Sequence, residues 1–186
     1  MRAFRRVGDH LEAELEEFEV ALLASLVEQL QDILGGPDSG QPPAGLDAFE
    51  RLAAASATQV ELDHDDPLIE RLFPAAYTDE RDRDFRRFTE DDARRTRLDE
   101  ASVVLSDLAA TADGAEPLRL ADDDFEAWVK TINALRLSLS VRLGITDAAS
   151  LDALQGLSAR DPRTHMLDIY DWLGFVLESL LDAAAS

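Results

Sequence analysis

Between Asp123 and Leu143 the chain has neither glycine nor proline, so nothing in that stretch interrupts a helix. At 100° per residue Phe125, Trp128, Val129, Ile132, Leu135, Leu139 and Leu143 share one face, and Leu137 and Val141 form a second strip roughly opposite. The run LRLSLSVRL from Leu135 to Leu143 alternates strictly, which by itself would suit a strand. Length and continuity with the preceding apolar residues decide for one long helix, capped at its start by Asp123 with Glu126 and closed by Gly144. A helix that is apolar on two sides needs neighbours on both, so it should be the central member of a helical bundle.

Those neighbours can be read on either side of it. Glu17 to Leu34 has a helical period with Phe18, Leu22, Leu26, Leu30 and Ile33 facing inward, stopped by Gly35-Gly36-Pro37. Ahead of it, Phe4–Val7 and His10–Leu15 flank Gly8-Asp9, which predicts a small hairpin with glycine at the first turn position. Leu11, Leu15, Phe18 and Leu22 would also suit a helix from His10, and the Gly-Asp turn favours the hairpin. Asp66-Pro67 caps a short helix over Leu68–Phe73 that Pro74 closes. Thr89 with Asp92 marks a new helix to about Ala112, broken by Gly114 and Pro117. A short helix near Asp147–Leu154 precedes the last one, opened by Asp161-Pro162 and running to about Asp182. Its inward stripe is Met166, Ile169, Tyr170, Leu173, Val176, Leu177, Leu180 and Leu181. The expected fold is mainly α: a compact helical bundle with a small N-terminal β-hairpin, one domain over residues 1–186. GGPDSGQPPAG at 35–45 reads as a flexible internal linker, and a short helix over about 47–57 follows.

Charge and composition bound the function. The chain carries 39 acidic against 18 basic residues, a formal charge of −21, so its field repels nucleic-acid backbones and anionic membranes. No strong direct nucleic-acid binding is expected. With no cysteine, the sequence offers no disulfide, thiolate ligand or thiol nucleophile. No run approaches the length of a membrane span and the start lacks the apolar stretch of a signal peptide, so a cytoplasmic location is expected. Asp63-His64-Asp65-Asp66 is the nearest thing to a metal cluster, but it lacks the ligand spacing of a cation loop and reads as a solvated turn. No catalytic motif is present and no carboxylate pair is set in an apolar pocket. Neither an enzyme nor a cofactor or metal is expected.

The residues that remain point to protein contact. Arg81, Arg83, Arg86, Arg87, Arg94, Arg95 and Arg97 are interleaved with acids, which suits a salt-bridged helix surface. Arg136 projects within the apolar face set by Ile132 and Leu139. It is either a packed stem with a snorkelling or paired guanidinium, or an interface anchor. Trp172 and Phe175 lie about one turn apart and off the inward stripe of the last helix. Either they meet another helix of the same fold or they form an aromatic partner site. A homodimer is compatible with the latter.

Three stretches carry a family resemblance: PLIERLFPAAYTDERDRDFRRFTEDDAR at 67–94, WVKTINALRLSLSVRLGI at 128–145 and IYDWLGFVLESLL at 169–181. With the Gly8-Asp9 start they resemble the AosR-like family of actinobacterial oxidative-stress regulators, long described as a domain of unknown function. The resemblance implies a transcriptional regulator in the stress response that contacts RNA polymerase or an alternative sigma factor of the extracytoplasmic-function class. It also implies sensing by a pair of cysteines that close into a disulfide, and this cysteine-free chain departs from that pattern. The alternative is a non-enzymatic helical adaptor or scaffold unrelated to transcription.

Overall fold

The structure, a computed structural model, describes residues 1–35, 66–73 and 80–186 and, over 80–89, the backbone alone. The expected linker beyond Gly35, the helix near 47–57, the turn at Asp63 to Asp65 and the side chains of Arg81 to Arg87 lie outside the described residues. The elements in order are β1 (Arg5–Val7), β2 (His10–Ala13), α1 (Glu17–Ile33), α2 (Pro67–Leu72), α3 (Glu80–Ala110), β3 (Leu118–Ala121), α4 (Phe125–Leu143), α5 (Ala148–Gln155) and α6 (Pro162–Ala184). The fold is helical with a three-stranded antiparallel sheet in the order β1-β2-β3.

The hairpin forms as expected, with Val7 opposite His10 and Gly8 at φ +64° in the turn. Its third strand had no counterpart in the sequence reading. β3 pairs Leu120 with Leu11 and Leu118 with Ala13, and these four side chains face the core. On the other face Glu12 lies between Arg5 of β1 and Arg119 of β3, and the Arg5 guanidinium, helped by Arg119, holds its carboxyl below the usual range.

α4 is central. It packs against α1, α2, α3 and α6, and Trp128, Ile132, Leu135 and Leu139 are buried. Its serines explain the alternating run: the Ser138 hydroxyl donates to the Ala134 carbonyl and Ser140 to Leu137, so small buried hydroxyls are satisfied within their own helix. Arg71 of α2 donates to Ser140 Oγ at 3.2 Å. Gly144 ends the helix at φ +72°, with the Ile145 N–H on the Ser140 carbonyl. The expected cap at its start is not made. A 3-10 turn over Asp122–Asp124 leads into α4, no side chain caps it, and Glu126 pairs with Lys130 at 2.7 Å.

Two further expectations are corrected. α1 is rotated from the face read in sequence: Val20, Leu23, Val27, Leu30 and Leu34 are buried, Leu22, Leu26 and Ile33 are half-buried, and Phe18 is 62% exposed. α1 has two adjoining apolar stripes, and polar contacts choose between them. Buried Glu19 pairs with the Met1 amino group and accepts from the Glu16 N–H, while Gln31 donates to Ser102 Oγ on α3 at 3.0 Å. α3 has no new start at Thr89, because no glycine or proline interrupts the chain between Glu80 and Ala110.

Two of its arginines do more than decorate a surface. Arg94 donates to the Leu34 and Gly35 carbonyls at the end of α1, each at 3.1 Å, and Arg97 to the Leu72 carbonyl at the end of α2 at 2.8 Å. Both place a cation where unpaired carbonyls and the helix dipole favour one. Of the described arginines in this stretch, Arg95 makes the surface pair expected of them all, with Asp92 at 2.8 Å. At α2 and α6 the expected caps are present: Asp66 accepts from the Leu68 N–H and Asp161 from the Arg163 N–H, with proline next in both.

α3 leaves through a turn in which Ala112, Asp113 and Gly114 all have positive φ. At Gly114 an added Cβ would lie 2.8 Å from the Leu15 carbonyl oxygen, whereas at Gly8 it would meet nothing within 4 Å. Gly8→Ala should therefore cost the left-handed strain alone, about 1 kcal/mol. Gly114→Ala should cost about 2 kcal/mol more, because backbone must shift. Urea unfolding of the two variants measures this, and equal losses would mean that the turn relaxes freely.

Candidate partner-binding surface

The residues singled out for partner contact sit on α4 and α6. Arg136 is half-buried between these helices, its guanidinium 4.8 Å from the centroid of the Tyr170 ring and against Gly174. Stacking on an aromatic face holds a guanidinium electrostatically as well as by packing. Its Nε is enclosed without a hydrogen-bond partner, and no ion pair among the described residues involves it. The packed stem is thus seen, and the acid partner considered for it is not.

Trp172 and Phe175 differ in their surroundings. Trp172 is half-buried against the main core, its indole N–H enclosed without a partner. Phe175 is 44% exposed. The inward face of α6 is Leu173, Val176, Leu180 and Ala183, with Tyr170 and Leu177 half-buried beside it. Leu181, expected on that stripe, is 45% exposed. The reason is geometric. α4 covers one side of α6 and the hairpin another, and Trp172, two residues from both Tyr170 and Gly174, projects from the side of the helix opposite Arg136.

Phe175 stands within a charged outer stripe. Asp168, Asp171, Phe175, Glu178 and Asp182, spaced three and four apart, are all exposed. Sequence reading set Trp172 and Phe175 apart from the core stripe but did not join Phe175 to these acids, although their spacing carried the signal.

Other chemistry-bearing groups are accounted for locally. Trp128 is fully buried and donates from Nε1 to Asp107 on α3 at 2.8 Å. Burial pushes the Asp107 carboxyl above its ordinary range, the indole hydrogen bond opposes this, and Asp124 adds to the rise. His10 lies 3.3 Å from Asp9, and His165 is exposed on α6. An open groove of about 510 Å³ beside Gly114 is walled by Met1, Arg2, Glu14, Glu16, Glu116 and Pro117. Among the described residues no three His, Asp or Glu side chains converge as a metal-holding group. No described helix is long and apolar enough to cross a membrane.

Residues 1–184 match the model of a protein family described as a domain of unknown function, DUF2017. The oxidative stress regulator AosR of Mycobacterium tuberculosis H37Rv is 26% identical over 196 residues, covering 97% of this chain and 84% of that protein. A relative from Mycobacterium leprae named for the same regulator is 29% identical over 203 residues, covering 97% of this chain and 87% of its own. No solved structure matches.

Two outcomes follow from these surroundings. Phe175→Ser should leave the unfolding midpoint nearly unchanged, whereas Trp172→Ser should cost about 2 to 3 kcal/mol, as expected when a packed aromatic is emptied. Similar losses at both positions would place Phe175 in the core. For Asp107, a folded-state pKa above the unfolded value means its stabilising contribution is complete below pH 3.8 and is lost as pH rises through the folded value. Asp107→Asn keeps an acceptor for the indole and loses the charge. The variant should therefore gain on the parent between pH 3.8 and neutrality, measured by urea midpoints at acid and neutral pH. A variant that falls further behind as pH rises would mean that the charge itself is favourable.

Proposed function

Because the chain belongs to the DUF2017 family, we propose that it is a regulator of stress-response transcription that acts by contact with RNA polymerase or an alternative sigma factor. The observation that carries this reading is its similarity, over 97% of its length, to mycobacterial proteins named oxidative stress regulators. Two physical features support it. A charge of −21 disfavours direct duplex contact, so influence on transcription is better exerted through protein. Phe175 gives α6 an exposed aromatic anchor, with Trp172 half-buried one turn before it and Arg136 held on Tyr170 at the α4 border. The protein works without catalysis, cofactor or thiol sensing. Its sulfur atoms are those of Met1 and Met166, which cannot form a disulfide, so any redox signal reaches it through a partner or through its own abundance.

Affinity purification of the full chain from cells that produce it should recover polymerase or sigma subunits. Diamide treatment of the purified chain alone should leave that association unchanged. Recovery of a stable partner outside the transcription machinery would replace this reading with a scaffold. A severalfold change in binding after oxidation of this chain alone would refute sensing elsewhere.

A further inference from the structure

Among the described residues, a row of exposed side chains runs along the outer face of α6. The inner side of the helix is committed, since Leu173, Val176 and Leu180 are fully packed and α4 and the hairpin flank it. Outside, Phe175 is 44% exposed. Fixed aromatic surface of this kind has its solvent contact to gain from docking, and it is carried on a rigid helix rather than on a loop. Asp168 and Asp171 precede Phe175 on the same stripe and Glu178 and Asp182 follow it, all exposed, over about 21 Å of helix. No ion pair among the described residues involves any of the four. Arg5 and Arg6 of the neighbouring strand are held by Glu12 and Asp122, and Arg163, the arginine of α6, by Asp161.

Charge decides what can cover this face. A second copy docked face to face would set two such rows of carboxylates against each other, which like-charge repulsion opposes. A phosphate backbone or anionic membrane is repelled for the same reason. We infer that the outer stripe of α6 docks a cationic amphipathic segment of a partner protein, apolar side chains covering Phe175 and arginines or lysines meeting Asp168, Asp171, Glu178 and Asp182. This rests on the reading that the protein works by protein contact and names the chemistry of the segment contacted. Phe175 supplies the desolvated anchor, and the acids supply orientation and association rate.

The test uses the full chain and two synthetic helical peptides: one with two central leucines flanked by arginines and lysines at spacings of three and four, the other with glutamates replacing the cations. Fluorescence anisotropy at about 0.15 M salt, where the Debye length is about 8 Å, should show binding of the basic peptide alone. The variant D168N/D171N/E178Q/D182N should weaken it at least about tenfold, and Phe175→Ser at least about fivefold. The control E28Q/E116Q/D123N/D152N makes the same change in net charge at exposed carboxylates elsewhere and should change binding less than about threefold. Circular dichroism and unfolding midpoints establish that each variant is folded. Equal losses in the two charge variants, no effect of Phe175→Ser, or no preference for the basic peptide would each overturn the inference. These results do not depend on which protein is recovered from cells. If polymerase subunits are recovered but the peptide fails, α6 is not the contact; if the peptide behaves as stated but a protein outside transcription is recovered, the regulatory reading falls alone.

Discussion

Burial of Trp128 ties the rest of the structure together. Its ring meets the edge of Phe4 at a centroid distance of 6.2 Å, just before β1, and its indole N–H reaches Asp107 on α3. One side chain of α4 therefore holds the sheet and the longest described helix to the centre. Once α4 is enclosed by α1, α2, α3 and α6, its buried hydroxyls must find their partners within the fold. Ser138 and Ser140 return to the helix backbone, and Arg136 rests on the Tyr170 ring. The same enclosure fixes which side of α6 faces inward, so the outward position of Phe175 follows from the packing of α4.

Sequence reading was most reliable where one signal sufficed. The α4 period, the Gly8 turn, the proline-led caps at Asp66 and Asp161 and the short helix after Asp147 are local features, and they appear where the residues place them. It failed where tertiary contacts choose between two local solutions. α1 has two apolar stripes of similar strength, and nothing in its own sequence reveals that Glu19 will be drawn in by the Met1 amino group and turn Phe18 outward. β3 is four residues long, too short for its alternation to speak before Leu11 and Ala13 are known to await it. At the candidate site, Trp172 and Phe175 were legible as lying off the core stripe. That one is packed against the core and the other exposed is set by tertiary packing around α6, which its own sequence does not carry.

Cations are distributed in a way that composition does not reveal. In a chain with 18 basic and 39 acidic residues, screening of the acids by nearby arginines would be expected wherever the two are interleaved. Instead Arg94 and Arg97 turn to the carbonyl ends of α1 and α2, Arg71 to Ser140 and Arg136 to Tyr170. These arginines hold helices in place, and acids beside Arg94 and Arg97 in sequence pair with other cations, Asp92 with Arg95 and Glu100 with Lys130. With a formal charge of −21 the chain still carries a strong negative field, which favours solubility and cationic partners together.

Such a surface has kinetic consequences for a protein that acts by contact. Charges at a solvated rim accelerate encounter and reject partners of like sign, while lifetime is set by the buried anchor. On the proposed docking face of α6 the two functions would fall on different residues of one stripe, with Phe175 for retention and the flanking carboxylates for encounter. Because the inner side of α6 is packed against α4, neither must be ordered on binding, and the entropy lost in docking falls mainly on the partner segment. That division matters in a chain without cysteine. A disulfide alters binding by joining two parts of the backbone, and here no such pair of atoms exists. A face that is always formed has no off state of its own. For a regulator of the kind proposed, control then rests on quantities outside the fold: how much of the chain is present, how exposed the partner's cationic segment is, and what else competes for it.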